Sequence, residues 1–202
     1  MRLTPFLFAT QRNCSSLYET SMSKLTLILG GARSGKSIYA EELARKLGGD
    51  DVLYVATAEA LDQEMRDRIA RHRAQRPQAW RTLEAPLHPG RVLLDRRPDE
   101  PTILLDCLTM LVSNLLLAHE GEGEAAVETA VQVEIGKLTA AAAQLDAHLI
   151  IVSNEVGLGL VPDNALGRIY RDVLGRANQT LARAADEVIF MVAGLPMIVK
   201  SG

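Results

Sequence analysis

The octapeptide Gly30-Gly31-Ala32-Arg33-Ser34-Gly35-Lys36-Ser37 constrains this 202-residue chain more than any other stretch. It follows the apolar run Leu25-Thr26-Leu27-Ile28-Leu29 and leads into a helical pattern beginning Ile38-Tyr39-Ala40-Glu41. Strand, loop and helix in that order are the context in which G-x-x-x-x-G-K-[ST] forms a phosphate-binding loop. Gly30 and Gly35 permit backbone angles that turn successive N–H groups inward around an anion. The helix behind them aims its partial positive end at the same phosphates. Lys36 supplies a point charge for the β- and γ-phosphates, and the Ser37 hydroxyl is placed to ligate Mg²⁺. An accidental glycine-rich turn is the alternative, and the ordered context argues against it. The expectation is a nucleoside triphosphate site.

Beyond the loop, apolar runs alternate with amphipathic segments, the pattern of a mostly parallel sheet flanked by helices. Strands are expected near 25–29, 52–56, 80–84, 102–106, 149–153 and 187–193. A strand at 196–200, after Gly194-Leu195-Pro196, turns back as an antiparallel edge. Helices are expected at 36–47, 59–75, 107–119, 125–146 and 164–185, with a surface excursion between Pro86 and Pro101. Residues 22–202 fit one α/β domain, and residues 1–21, which break any periodicity, read as a flexible extension. The net charge of −3 offers no general attraction to nucleic acid or an anionic membrane. No run approaches the roughly 18 apolar residues of a membrane span, so a cytoplasmic address is expected. Cys14 and Cys107 are too few for a disulfide framework, and no Cys/His spacing resembles a zinc site.

Two further strand ends carry polar groups. Thr102-Ile103-Leu104-Leu105-Asp106 ends in a carboxylate where phosphate-loop enzymes hold Mg²⁺, with Thr109 close behind. An Asp capping the next helix is the compatible alternative. Leu149-Ile150-Ile151-Val152-Ser153 delivers Asn154 and Glu155 to the carboxyl edge, where ligands of open α/β sheets bind. These two residues are candidate substrate contacts, and Gly157 to Pro162 forms a loop that could close over a substrate.

Between Leu61 and Arg76, the residues Leu61, Met65, Ile69 and His72 follow spacings of four, four and three, so they share one helix face, which is expected to point inward rather than to water. Arg66, Arg68, Arg71, Arg73 and Arg76 surround His72 and would attract a polyphosphate. A neutral imidazole is a competent nucleophile, yet a histidine on an apolar face is more often a hydrogen-bonded core residue. Residues alone leave both readings open. On the helix from Asn164 to Asp186, the stripe Leu166, Tyr170, Val173, Ala177, Leu181 and Ala184 is expected to be buried, with Arg168, Arg171, Asp172, Arg176 and Asn178 largely off it.

Taken in order, GGARSGKS, LYVATAEALDQEMRDRIARHRAQRP, WRTLEAP, LLDCLTMLVSNLL, IIVSNEVGLGLVP and RDVLGRANQTLARAADEV resemble the bifunctional adenosylcobinamide kinase / adenosylcobinamide-phosphate guanylyltransferase family of cobalamin biosynthesis. The resemblance runs from about residue 24 to residue 200. It implies a RecA-like P-loop NTPase fold and a homotrimer. It also implies two reactions at one site: phosphorylation of adenosylcobinamide by ATP or GTP, then GMP transfer from GTP through a GMP-histidine intermediate. His72 matches the nucleophile, where some relatives carry two adjacent histidines and this chain has Arg71-His72. Besides the loop residues 30–37, the resemblance implies nucleotide contacts from Ala56, Thr57, Ala58, Arg73, Ala74, Gln75, Arg76 and Glu84. Glu84 is a candidate for recognising guanine N1–H and N2–H₂. The competing expectation is a P-loop small-metabolite kinase without a covalent guanylyl step, in which His72 only packs.

Overall fold

The computed structural model of the chain describes residues 25–59 and 63–202, apart from the side chains at 64, 68, 71 and 75. The expected extension over residues 1–21, Cys14 and Leu61 lie outside the described residues. In chain order the elements are β1 (Leu25–Gly30), α1 (Lys36–Gly48), β2 (Val52–Ala56), α2 (Gln63–Gln75), β3 (Arg81–Glu84), α3 (Pro89–Arg96) and β4 (Thr102–Asp106). They continue with α4 (Leu108–Ala118), α5 (Glu124–Gln144), β5 (His148–Val152), α6 (Ala165–Ala184), β6 (Glu187–Val192) and β7 (Leu195–Lys200).

The strands form one seven-stranded sheet in the order β3-β2-β4-β5-β1-β6-β7. Every pairing is parallel except that of β6 with β7. Strands β1, β2, β4 and β5 are rich in Val, Ile and Leu and buried along nearly their whole length. That continuous apolarity is what a parallel sheet covered on both faces requires. On one face Ala40 and Ala44 of α1 pack with Ile28, Tyr54, Leu104 and Ile150. The larger core on the other face joins Leu27, Val55, Leu105 and Ile151 to side chains of α3, α4, α5 and α6.

Parallel register brings the carboxyl ends into one row. Ile28 pairs with Val152, Val152 with Asp106, Asp106 with Ala56, and Ala56 with Glu84. At about 4.8 Å per strand this row extends roughly 19 Å along the edge. Loops leaving these positions therefore share one cleft, with the phosphate loop at one end and Glu84 at the other.

Three expectations need correction. The segment between Pro86 and Pro101 contains α3, which starts with Pro89 in its first turn and buries Leu93 completely. Proline there is compatible with helix initiation, because its missing N–H falls where none is needed. Burying that leucine contributes about 2 kcal/mol. The N-terminus of α3 is held from afar: the Glu134 carboxylate on α5, itself 1% exposed, accepts from the Gly90 N–H at 2.6 Å.

On α6, Val173, Leu174, Ala177, Asn178 and Leu181 are buried, whereas Leu166 and Ala184 are exposed. The buried stripe is rotated enough to take Leu174 and Asn178 inside. The third correction concerns α2. Met65, Ile69 and His72 are only half-buried, and among the described residues α2 packs closely against no other helix or strand. Periodicity gave the helix a face; nothing in periodicity says that the sheet covers it.

Candidate active site

The phosphate loop is built by its glycines and braced by its neighbours. Gly30 has φ 154°, and a Cβ there would lie 2.6 Å from Ser34 Oγ and 2.7 Å from the Met191 carbonyl oxygen. Gly35 has φ 92° and a Cβ would come 3.3 Å from Gly194 Cα. Gly30 is thus required for space, and Gly35 for its left-handed conformation. The Gly194 N–H in the β6–β7 turn donates to the Ser34 carbonyl at 3.0 Å, and the Glu155 N–H donates to the Gly30 carbonyl at 3.1 Å. Helix α1 has no side-chain cap, which leaves the orphan amides of its first turn to a ligand. Lys36 is 8% exposed, and its Nζ donates to the Gly31 carbonyl at 2.6 Å. Gly31 and Ser37 are half-buried, while Ala32 and Arg33 are exposed on the rim. Ser34 Oγ is buried and has no hydrogen-bond partner among the described residues.

Asp106 sits two strands from β1, at the carboxyl end of β4. The Tyr54 hydroxyl, from β2, donates to Asp106 Oδ2 at 2.9 Å. The Arg76 guanidinium lies over the other side of this unit, its Cζ 3.3 Å from the Tyr54 ring centroid. Arg76 Nε is buried without a hydrogen-bond partner among the described residues. Burial, and then the charge of Asp106, push the Tyr54 phenol well above its ordinary pKa, so it stays a donor. Glu41 of α1 joins this neighbourhood: burial raises its carboxyl pKa and Asp106 adds to the rise, while Arg76 and Arg45 oppose it. Sequence reasoning missed Tyr54 and Glu41. Tyr54 reads as core within an apolar strand, but Glu41 lies four residues after Ser37 and so shares its helix face, a signal that was available.

A polar network fixes the backbone around these groups. The Thr57 hydroxyl donates to the Cys107 carbonyl at 2.7 Å and accepts from the Cys107 N–H at 2.8 Å. Thr57 is wholly buried, so its side chain shapes the cleft floor. Asn114 Nδ2 donates to the carbonyls of Thr57 and Pro86. The Asn154 N–H donates to Thr109 Oγ1 at 2.8 Å, and Asn178 Nδ2 donates to the Asn154 carbonyl at 3.0 Å. The Ser153 hydroxyl completes the link by donating to Asn178 Oδ1 at 2.7 Å. Cys107 is no nucleophile: burial, with Asp106 adding to it, pushes its thiol up to about 12.

Glu155 accepts from the Gly157 N–H at 2.6 Å and lines a cavity of about 470 Å³ with Leu29, Arg171, Arg176 and Asn178. At the far end of the row, the Glu84 carboxylate is exposed and has no partner among the described residues. Ala56 and Ala58 are half-buried between it and Asp106, and Arg73 and Ala74 are exposed on the last turn of α2. The backbone of Gln75 ends α2. Among the described residues no cluster of three or more His, Cys, Asp or Glu is arranged around a common metal position.

Residues 26–199 match the family described as cobinamide kinase / cobinamide phosphate guanyltransferase. The chain is 46% identical to the bifunctional adenosylcobalamin biosynthesis protein CobU of Salmonella typhimurium, over 87% of this chain and 99% of that protein. It is also 46% identical to the bifunctional adenosylcobalamin biosynthesis protein CobP of Pseudomonas aeruginosa, over 86% of this chain and 96% of that protein. Among solved structures it is similar to an ATPase domain, with a TM-score of 0.50 at 15% identity, covering 83% of this chain and 69% of the other. That likeness concerns the fold, which is RecA-like.

Proposed function

Because this chain belongs to the cobinamide kinase / cobinamide phosphate guanyltransferase family, we propose that its phosphate-loop cleft carries out both transfers in that description, on adenosylcobinamide and then on its phosphate. In the first, the aminopropanol hydroxyl of adenosylcobinamide attacks the γ-phosphorus of ATP or GTP. A new P–O bond forms as the β–γ bridge breaks, and a nucleoside diphosphate leaves. In the second, an imidazole nitrogen of His72 attacks the α-phosphorus of GTP, and pyrophosphate leaves. A phosphate oxygen of adenosylcobinamide phosphate then attacks the same phosphorus. The P–N bond breaks, His72 is restored, and adenosylcobinamide-GDP is the product.

The observation that carries this reading is the shared row of the sheet. Lys36 and the loop amides stand at one end, Asp106 in the middle and Glu84 at the other, so one extended nucleotide meets them all. Helix α2, free of close packing among the described residues, leaves His72 room to approach or withdraw. Positioning and neutralisation of phosphate charge supply most of the acceleration in such transfers. Lys36 and the first-turn amides of α1 hold the β- and γ-phosphates in both steps, as γ-phosphoryl donor in one and as pyrophosphate leaving group in the other.

Mg²⁺ fits the oxygen donors present. The Ser37 hydroxyl and the Asp106 carboxylate, fixed by its bond from Tyr54, would hold it with phosphate oxygens and water, because this cation keeps few protein ligands. When bound it neutralises charge on the bridging phosphates. Arg73, Ala74, Gln75 and Arg76 approach the nucleotide from α2, Ala56 to Ala58 border the ribose side, and Glu84 reads guanine. Asn154 and Glu155 face the corrinoid. A homotrimer belongs to this reading. The exposed Leu195, Met197, Ile198 and Val199 of β7 support it as a surface suited to cover by another copy. A cytoplasmic address, where ATP and GTP are abundant, is also part of this proposal. Among the described residues no helix is long and apolar enough to cross a membrane.

Incubating the purified protein with adenosylcobinamide, MgCl₂ and GTP tests the proposal. Successive appearance of adenosylcobinamide phosphate and adenosylcobinamide-GDP, with pyrophosphate, is expected. Phosphate product without any GDP conjugate would reduce the protein to a plain kinase.

A further inference from the structure

Tyr54 is 2% exposed in the middle of β2, yet it is the meeting point of two functional parts. Its hydroxyl donates to Asp106 Oδ2 at 2.9 Å, and its ring carries the Arg76 guanidinium at 3.3 Å. Arg76 immediately follows α2, and His72 lies four residues earlier, about 6 Å up the helix axis. The stacked Arg76 thus ties the foot of this helix to β2 of the sheet. A guanidinium over a buried aromatic face is a cation–π contact in a desolvated place, where such contacts are strongest.

We propose that Tyr54 is a positioning residue that couples the two ends of the reaction centre: its hydroxyl orients the Asp106 carboxylate, and its ring seats Arg76 and so sets the stance of the helix that bears His72. This rests on the nucleotide reading of the cleft given above. The two halves of one side chain do separable work. The hydroxyl is a partner behind a cation-binding carboxylate, a place where substitutions weaken cation affinity without touching the cation. The ring is an anchor for α2 and has no part in the affinity for cation.

Two variants separate the halves. Tyr54→Phe keeps the ring and removes the hydroxyl. It is expected to raise the MgCl₂ concentration for half-maximal GTP binding about tenfold, in the range for lost partners behind cation ligands. Hydrogen exchange of the amides at 63–75, measured without nucleotide, is expected to stay at the wild-type rate. Arg76→Lys keeps the charge, removes the planar group and leaves the core intact. It is expected to speed exchange at 63–75 about fivefold or more. Unchanged MgCl₂ dependence in Tyr54→Phe, or unchanged exchange in Arg76→Lys, overturns the coupling. Both readouts work on protein with no transferase activity. A wild-type enzyme that forms no guanylylated intermediate would therefore sink the proposed function while these measurements still decide the role of Tyr54.

Discussion

Lys36 Nζ donates to the Gly31 carbonyl oxygen at 2.6 Å, so the ammonium lies back across the loop that precedes it. Its charge is thereby held over the ring of amides formed by residues 30–37, with the side chain only 8% exposed. A triphosphate entering the loop exchanges this carbonyl for phosphate oxygens, which are stronger acceptors because they are charged. The lysine is ordered before the ligand arrives, and little side-chain freedom is left to lose on binding.

In the proposed reading, kinase activity and GMP transfer depend on the same ammonium. Lys36→Ala is expected to lower both by about 10²-fold or more, the loss typical of removing one donor aimed at developing charge. Separate assays of cobinamide phosphorylation and of GDP-cobinamide formation check this. Guanylyl transfer that persists while phosphorylation is lost would contradict a shared site.

In the proposed reading, guanine is selected by Glu84. Its exposed carboxylate can accept from N1–H and N2–H₂, groups that adenine lacks. Hydrogen bonds to a charged group are worth about 1.5–3 kcal/mol, so Glu84→Gln is expected to raise the KM for GTP roughly 10- to 100-fold. Use of ATP in the kinase step should change little. Equal effects on the two nucleotides would remove Glu84 from base recognition.

The strands and the phosphate loop were legible because they rest on local signals. Apolar runs of five or six residues mark β1, β2, β4 and β5, and the glycines at 30 and 35 mark a turn that needs them. Helix α3 was hidden because Pro86, Pro89, Pro98 and nearby charges read as loop, and its support, Glu134, is 44 residues from Gly90. Asn178 was misplaced for the same reason: its partners Ser153 and Asn154 lie in the loop after β5, beyond any periodicity. His72 shows the opposite failure. Its stripe is real, but a stripe tells nothing of what covers it, and α2 stands largely clear of the sheet. Tyr54 looked like one more core residue because only the fold brings Asp106 and Arg76 to it.

Asn178 bonds the Ser153 hydroxyl and the Asn154 carbonyl at once while only 4% exposed. Asn178→Leu keeps the branched, four-atom side chain, in a larger volume, but strands both of those groups in the interior. The expected cost is about 1–3 kcal/mol. For a chain of this size each kcal/mol lowers the melting temperature by roughly 2–4 °C. Thermal unfolding of the variant checks this, and an unchanged midpoint would mean that water satisfies those groups.

His148 makes stability depend on pH. Its Nε2 lies 2.8 Å from Thr26 Oγ1, with Glu187 bonded to the same hydroxyl. Burial lowers its pKa below the usual histidine value, and the nearby Asp186 opposes that only in part. The unfolded chain therefore takes up a proton near pH 6.5 that the folded chain refuses. Stability from this site is full above about pH 6.5 and is lost as pH falls from there toward the lower folded pKa. Denaturant midpoints of wild type between about pH 7.5 and 5.5 should fall more steeply than those of His148→Gln. Parallel slopes would place the dependence elsewhere.

The covalent role of His72 is tested most directly with GTP labelled at the α-phosphorus. After denaturation, wild-type protein should retain label that survives alkali and is released by acid, as a phosphoramidate does. His72→Ala should retain none while still phosphorylating adenosylcobinamide. Label that stays on His72→Ala, with the same stability, would contradict the account.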